Sequence, residues 1–214
     1  MPVRAVLWDF GGVILSSPFE AFNRFESERG LPRDLIRSVN ATNPDSNAWA
    51  LLERSEVTPS EFDALFATES AALGHEVRGA DVLALLSGDI RPRMVTALRS
   101  VIDAGLLTAC LTNNVVSGAV ADDRSRAVAE IMGLVHSVVE SSKVGCRKPE
   151  PRFYEIACET LRVDPRECVF LEDLGINLKP AAAMGMRTIK VGDPDVALGE
   201  LGGHLDMSFG DVSS

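Results

Sequence analysis

An aspartate followed closely by two glycines ends an apolar run near the N-terminus, in "VLWDFGGVILSS" at residues 6–17. A carboxylate at the end of a buried strand can act as a nucleophile, and glycines beside it let the backbone approach a bound anion. The backbone N–H groups of Phe10 to Gly12 are suited to cradling that anion. Asp9 is therefore a candidate nucleophile, although such an acid taken alone is more often part of a turn or a helix cap.

Further polar residues stand where strands are expected to end or helices to begin. Thr112 and Asn113 follow "ACL", Glu172 and Asp173 follow "VFL", and Lys148 lies in a loop before a helix-like stretch. In open α/β sheets, ligands bind beyond the carboxyl ends of the strands. A parallel sheet would bring these residues to the same rim as the N-terminal aspartate.

This set of groups fits attack on a phosphate ester. Attack by Asp9 would give an acyl phosphate that water then hydrolyses. Because anions repel one another, the site needs counter-charge, and Mg2+ held by Asp9 and Asp173, with Glu172 nearby, would supply it. Lys148 could neutralise another phosphate oxygen, and the Thr112 hydroxyl could donate to it. The expected partner is a small phosphorylated substrate.

The elements that must position these residues follow from the hydrophobic pattern. An apolar strand at 3–8 precedes a stretch to about residue 88 with helical periodicity only, including the capping box of Thr58 and Glu61. Strands are then predicted at 106–112, 134–141, 168–173 and 187–191. Helices are predicted at 91–105, 123–133, 149–163, 177–185 and 193–203. Such alternation predicts an α/β fold with a parallel sheet covered on both faces.

Composition excludes several other classes of function. The 214 residues carry a net charge of −10, which disfavours nucleic acid as a partner. No stretch approaches the length of a membrane span, and no signal peptide is evident, so we expect a cytoplasmic protein. The cysteines lack metal-binding spacing and are expected to be reduced buried thiols. They are Cys110, Cys146, Cys158 and Cys168.

Four motifs together resemble the haloacid dehalogenase-like hydrolase superfamily. They are "WDFGGVIL", "CLTNN", "KVGCRKPEPRFY" and "VFLEDLGINLKPAAAMGM". The last two are similar to those of the N-terminal phosphatase domain of soluble epoxide hydrolases and of the hydrolase-like domain in some acyl-CoA dehydrogenases. The resemblance implies a Rossmann-like three-layer sandwich at 1–15 and 89–214. It also implies a small helical cap inserted at 16–88.

The resemblance also implies roles for individual residues. Asp9 would be the nucleophile, and Mg2+ would be held by Asp9, the Gly11 carbonyl and Asp173, with Glu172 assisting. Thr112 and Lys148 would bind the phosphoryl group, and Gly11, Gly12 and Asn113 would line the substrate site. Asn177 would fix the acidic loop. Asp9, Thr112, Lys148 and Asp173 are thus the implied catalytic residues.

One position departs from the family pattern. Typical phosphatases of this family carry a second aspartate two positions after the nucleophile, which protonates the leaving group; here that position is Gly11. A general acid of this kind is worth about 10²–10⁴-fold in rate. Glu172, Glu53 or Glu56 could replace it, or nothing does. We therefore expect slow turnover of esters with poor leaving groups.

Two other functions stay open from the sequence. The missing aspartate is compatible with a non-catalytic or regulatory phosphate-binding protein. A 2-haloacid dehalogenase would need an arginine shortly after the nucleophile, and "FGGVILSS" contains none. The sequence leaves the identity of the substrate and the oligomeric state open.

Overall fold

A computed structural model of the chain describes residues 1–86, 88–113 and 123–210. Within them, five parallel strands form one sheet in the order β3-β2-β1-β4-β5. The strands are β1 (Ala5–Trp8), β2 (Leu107–Thr112), β3 (Ser137–Glu140), β4 (Cys168–Glu172) and β5 (Arg187–Lys190). The last residue of β1, Trp8, lies opposite Cys110 of β2 and Leu171 of β4. The carboxyl ends of the three central strands therefore meet at one rim.

Helices cover both faces of the sheet. They are α6 (Pro92–Asp103), α7 (Asp123–Met132), α8 (Ser141–Val144), α9 (Pro151–Leu161), α10 (Gly175–Ala183) and α11 (Pro194–Leu205). Because side chains alternate along a strand, Val6 and Trp8 pack towards α6, α7 and α11. Ala5 and Leu7 pack towards α9 and α10 on the other face. The predicted three-layer α/β fold is confirmed.

The chain between β1 and α6 forms a separate group of helices, which we call the helical unit. It contains α1 (Phe19–Glu28), α2 (Leu35–Ala41), α3 (Ala48–Glu53), α4 (Pro59–Ala72) and α5 (Gly79–Ala84). The unit has its own hydrophobic cluster, in which Phe62 and Phe66 are fully buried. The capping box begins α4 as predicted, because Thr58 N donates to Glu61 Oε2 at 2.8 Å and Glu61 N donates to Thr58 Oγ1 at 3.2 Å. The domain boundaries at residues 16 and 88 stay a prediction.

The two connections to the helical unit run side by side. Leu15 and Ile90 form an isolated antiparallel bridge, and Ser16 N donates to Asp89 O at 2.8 Å. Arg91 N donates to Ile14 O at 2.9 Å. The helical unit therefore begins and ends beside the turn that follows Asp9.

Two further observations concern the state of the cysteines and the apolar character of the helices. All four cysteines are buried free thiols. Among the helices in the described part of the chain, none combines the length and apolar character that crossing a bilayer requires.

Candidate active site

Asp9 lies directly after the central strand and is held by backbone hydrogen bonds. Its N–H donates to Leu171 O of β4 at 2.9 Å, and its Oδ1 accepts from Phe10 N at 2.7 Å. The chain then turns sharply, since Leu15 N donates back to Phe10 O at 2.8 Å. Asp9 is 6% exposed, so its carboxylate sits at the rim of the sheet but mostly out of water.

Lys148 reaches the same point from the loop between α8 and α9. Its Nζ lies 2.7 Å from Asp9 Oδ1 and 2.6 Å from Glu172 Oε2, and the residue is 1% exposed. The side chain of Asn113 holds the backbone of this lysine. Lys148 N donates to Asn113 Oδ1 at 2.8 Å, and Asn113 Nδ2 donates to Lys148 O at 2.9 Å. Three of the predicted strand-end motifs thus meet at one lysine.

Asp173 completes a cluster of carboxylates around this lysine. One oxygen from each of Asp9, Glu172 and Asp173 lies within 4.8 Å of the others. Ser17 Oγ donates to Asp173 Oδ2 at 3.2 Å, and Leu174 N donates to Glu172 Oε1 at 3.1 Å. Three acids facing one lysine leave an excess of negative charge in a buried place. Hard oxygen ligands with unbalanced charge fit a divalent cation such as Mg2+.

The electrostatics of the cluster agree with this fit. Burial and the nearby Glu172 carboxylate raise the pKa of Asp9 well above its ordinary range, and Lys148 offsets this only in part. Burial and Glu172 also raise the pKa of Asp173 to about 7. Burial opposes ionisation of Glu172 too, but Lys148 holds the pKa of Glu172 below its ordinary value. Additional positive charge is what would keep all these acids ionised.

The two glycines after Asp9 differ in backbone conformation and in what surrounds them. Gly12 has φ 88°, and a Cβ atom there would lie 2.2 Å from Asp173 Oδ2, so only glycine lets the loop pass this carboxylate. Arg91 Nη1 donates to Gly12 O at 2.7 Å and fixes the turn. Gly11 has φ −74°, and a Cβ atom there would meet no heavy atom within 4 Å. Residue 11 therefore lacks a side chain, although the structure has room for one.

The remaining predicted residues lie close to this rim. Thr112 ends β2, paired with Glu140 in register, and is 7% exposed. Asn177 lies in the first turn of α10, where its N–H donates to Leu174 O at 3.0 Å and its carbonyl accepts from Tyr154 Oη at 2.6 Å. Asn114, the last residue of "CLTNN", lies outside the described residues.

Glu53 and Glu56 were both candidates to replace the missing acid, and the structure separates them. Glu56 is exposed and pairs with Arg54. Glu53, the last residue of α3, is 6% exposed, accepts from Asn113 Nδ2 at 3.3 Å and lies 2.6 Å from Arg147 Nε. Only Glu53 approaches the residues around Lys148.

Glu53 also predicts a pH dependence of stability. Burial raises the pKa of Glu53 from 4.5 to about 7, although Arg147 opposes this. Between these values the folded protein keeps a proton that the unfolded chain has lost, so stability falls as pH rises. Between pH 5 and pH 8 the wild type should therefore lose up to about 3 kcal/mol of unfolding free energy that Glu53→Gln does not lose. Urea unfolding at both pH values measures this; a difference that does not change with pH contradicts it.

The comparison with protein families decides the family of this chain. The family model of the haloacid dehalogenase-like hydrolases matches residues 3–185. The chain belongs to the haloacid dehalogenase-like hydrolases. The resemblance carried by the four motifs is thereby confirmed.

Relatives of this hydrolase include proteins of very different length. It is 33% identical to acyl-CoA dehydrogenase family member 10 of Mus musculus, over 92% of the chain but 19% of that protein. It is 32% identical to bifunctional epoxide hydrolase 2 of Mus musculus, over 94% of the chain and 38% of that protein. A phosphatase of Mycobacterium tuberculosis is 31% identical, over 89% of the chain and 88% of its own length. The chain thus spans only a minor part of the first two relatives.

Solved structures of the family share the fold. A haloacid dehalogenase family enzyme of Bacteroides thetaiotaomicron, in complex with magnesium and inorganic phosphate, has a TM-score of 0.59 and 20% identity. The likeness covers 89% of this hydrolase and 96% of that chain. The L-2-haloacid dehalogenase of Xanthobacter autotrophicus has a TM-score of 0.58 and 19% identity, over 96% and 84% of the two chains. At such identities the likeness shows the fold alone.

Sequence reasoning missed several residues around the site of this hydrolase. Arg147 and Ser17 were not singled out. Arg147 directly precedes the motif residue Lys148, and Ser17 is the last residue of the N-terminal stretch "VLWDFGGVILSS". Arg91, which holds the Gly12 carbonyl, had no signal beyond its place before the proline of α6. A charged residue next to the motif lysine was the one available hint for Arg147.

Proposed function

We propose that this protein is a Mg2+-dependent phosphohydrolase that acts on a small phosphorylated substrate through an aspartyl-phosphate intermediate. The observation that carries the proposal is the contact of buried Asp9 with Lys148 Nζ at 2.7 Å, within a cluster that also holds Asp173. A nucleophile, a fixed positive charge and a cation-binding acid are the parts that phosphoryl transfer to a carboxylate requires. The family and the phosphatase among its relatives support the same reaction.

In the first step, an oxygen of Asp9 attacks the phosphorus atom, and the bond from phosphorus to the ester oxygen breaks. The leaving oxygen keeps the electron pair and takes a proton from water, since residue 11 has no acidic side chain. Lys148 and the Thr112 hydroxyl stabilise charge on the phosphoryl oxygens. In the second step, water attacks the phosphorus atom and gives a proton to the hydroxide left by the first step. The bond to Asp9 breaks with its electron pair staying on the Asp9 oxygen, and phosphate leaves.

The metal would be held by Asp9, the Gly11 carbonyl and Asp173, with Glu172 beside them. When bound, Mg2+ supplies positive charge against the phosphoryl oxygens and the clustered carboxylates. Lys148 balances Asp9 and Glu172 in either case. Ser17 orients Asp173 by its hydrogen bond.

The helical unit serves as the cap of this enzyme, with the core at 1–15 and 89–214 and the cap at 16–88. Its support is the separate hydrophobic cluster of the helical unit and the pair of adjacent connections at Leu15 and Ile90. Glu53 brings this unit to the rim that holds Asn113. The cap would therefore cover the substrate and exclude water from it.

A hydrolysis panel tests the function. Phosphate release from aryl phosphates, alkyl phosphates and acyl phosphates is measured with Mg2+ and with EDTA. We expect activity highest on esters with good leaving groups and on acyl phosphates, at least tenfold lower in EDTA and restored by Mg2+. Binding of Mg2+ and phosphate without any hydrolysis would instead indicate a regulatory binding protein. Metal-independent release of chloride from chloroacetate would indicate a dehalogenase.

A further inference from the structure

A buried charge pair joins the helical unit to the residue just before Lys148. Arg147 Nε lies 2.6 Å from Glu53 Oε2, and the two side chains are only 14% and 7% exposed. The Nε contact is a charge contact rather than an aligned hydrogen bond. The same guanidinium donates through Nη1 to Pro44 O at 2.9 Å. Arg147 therefore contacts the helical unit at two residues, Glu53 and Pro44.

Glu53 also contacts the other residue that holds the lysine backbone. Its Oε2 accepts from Asn113 Nδ2 at 3.3 Å, and its Oε1 accepts from Trp49 Nε1 at 3.0 Å. Asn113 in turn makes the two hydrogen bonds to the N–H and carbonyl of Lys148. One carboxylate on the helical unit thus restrains Lys148 both through the preceding residue and through Asn113.

The position of Lys148 is demanding because its ammonium group is shared between two acids. Nζ lies 2.7 Å from Asp9 Oδ1 and 2.6 Å from Glu172 Oε2 at the end of a flexible side chain. A displacement of about 1 Å at such a site can cost about 10²-fold in rate. The backbone of Lys148 must therefore be held from outside the acidic cluster.

We propose that Glu53 is a positioning residue for Lys148, acting through Arg147 and Asn113. This proposal rests on the proposed function, because Lys148 is taken to bind the phosphoryl group. Glu53 touches neither the nucleophile nor the cation site, and its role is to hold the segment that carries the lysine. The helical unit is then part of the catalytic arrangement as well as a cover.

The test combines kinetics with amide hydrogen exchange of Glu53→Gln. We expect kcat to fall about 10–100-fold, and exchange at the Lys148 amide, which donates to Asn113 Oδ1, to accelerate at least tenfold. The Ile36 amide, which donates to Glu26 within the helical unit, should change less than threefold. Glu56→Gln is the matched control, since Glu56 is exposed and pairs with Arg54, and should leave both readouts within twofold of wild type.

Arg147 supplies a second set of variants in case Glu53→Gln folds poorly. Arg147→Gln should lower kcat as Glu53→Gln does. The kcat of the double variant should be no lower than that of the less active single variant, because the pair acts as one unit. Arg147→Lys should recover most of the rate by keeping the charge beside Glu53. Full additivity, or no recovery with lysine, would overturn the pairing.

The exchange readout separates this proposal from the proposed function. If Lys148 exchange is unchanged in Glu53→Gln, or if it accelerates no more than Ile36 exchange, Glu53 is a structural residue of the helical unit only. If the wild type hydrolyses no ester or acyl phosphate, the proposed function fails, and the exchange result still decides whether Glu53 holds Lys148.

Discussion

Replacing Asp9 with asparagine is expected to lower kcat by at least about 10⁴-fold, because the amide cannot form the acyl phosphate. The side chain keeps its size, and its carbonyl oxygen can still accept from Phe10 N and from Lys148 Nζ. The loss should therefore lie in chemistry rather than in folding. Steady-state kinetics with p-nitrophenyl phosphate and Mg2+ measure it.

Asp103→Asn is the matched control for this change. Asp103 is an exposed residue that ends α6, shortly before β2 begins. It therefore lies near the amino ends of the strands, away from the rim that holds Asp9. The control should keep wild-type activity, and thermal melting should show both variants folded. Asp9→Asn protein that melts like wild type and retains a tenth of its rate would refute the assignment of the nucleophile.

Replacing Gly11 with aspartate is expected to raise kcat for alkyl phosphates by about 10²–10⁴-fold, the usual worth of a general acid. The backbone at residue 11 has φ −74° and ψ 125°, which any L-residue adopts. A Cβ atom there meets no heavy atom within 4 Å, and the position is exposed. The new carboxyl group can then protonate the leaving oxygen, which the wild type leaves to water.

The dependence of rate on the leaving group tests this change most sharply. In the wild type, p-nitrophenyl phosphate should be cleaved much faster than glycerol phosphate, and Gly11→Asp should remove most of that difference. Gly11→Asn has nearly the same shape without the acid and should leave the difference in place. Gly12→Ala should lose activity, because its Cβ would overlap Asp173. Equal rates for the two esters in the wild type would show that another group already supplies the proton.

Much of the site could be predicted because its residues stand at strand ends. Asp9 follows β1 and Asp173 follows β4, and the apolar runs before them are short, buried and readable from the sequence. Parallel strands side by side necessarily bring such ends together. The capping box of Thr58 and Glu61 was equally local, and it begins α4 as predicted. Element ends differ by a few residues, as at β1, which begins at Ala5 rather than at residue 3.

The sequence by itself therefore determined the α/β fold, the family and the residues at the rim, since each depends on periodicity or on a continuous motif. Only the tertiary structure decided which glutamate of the helical unit meets the rim, that Lys148 bridges two acids, and that Gly12 but not Gly11 is sterically required. Arg147 and Pro44 touch although 103 positions separate them. Such contacts depend on how the helical unit packs on the sheet, and no local pattern of residues predicts a contact across so long a separation in sequence.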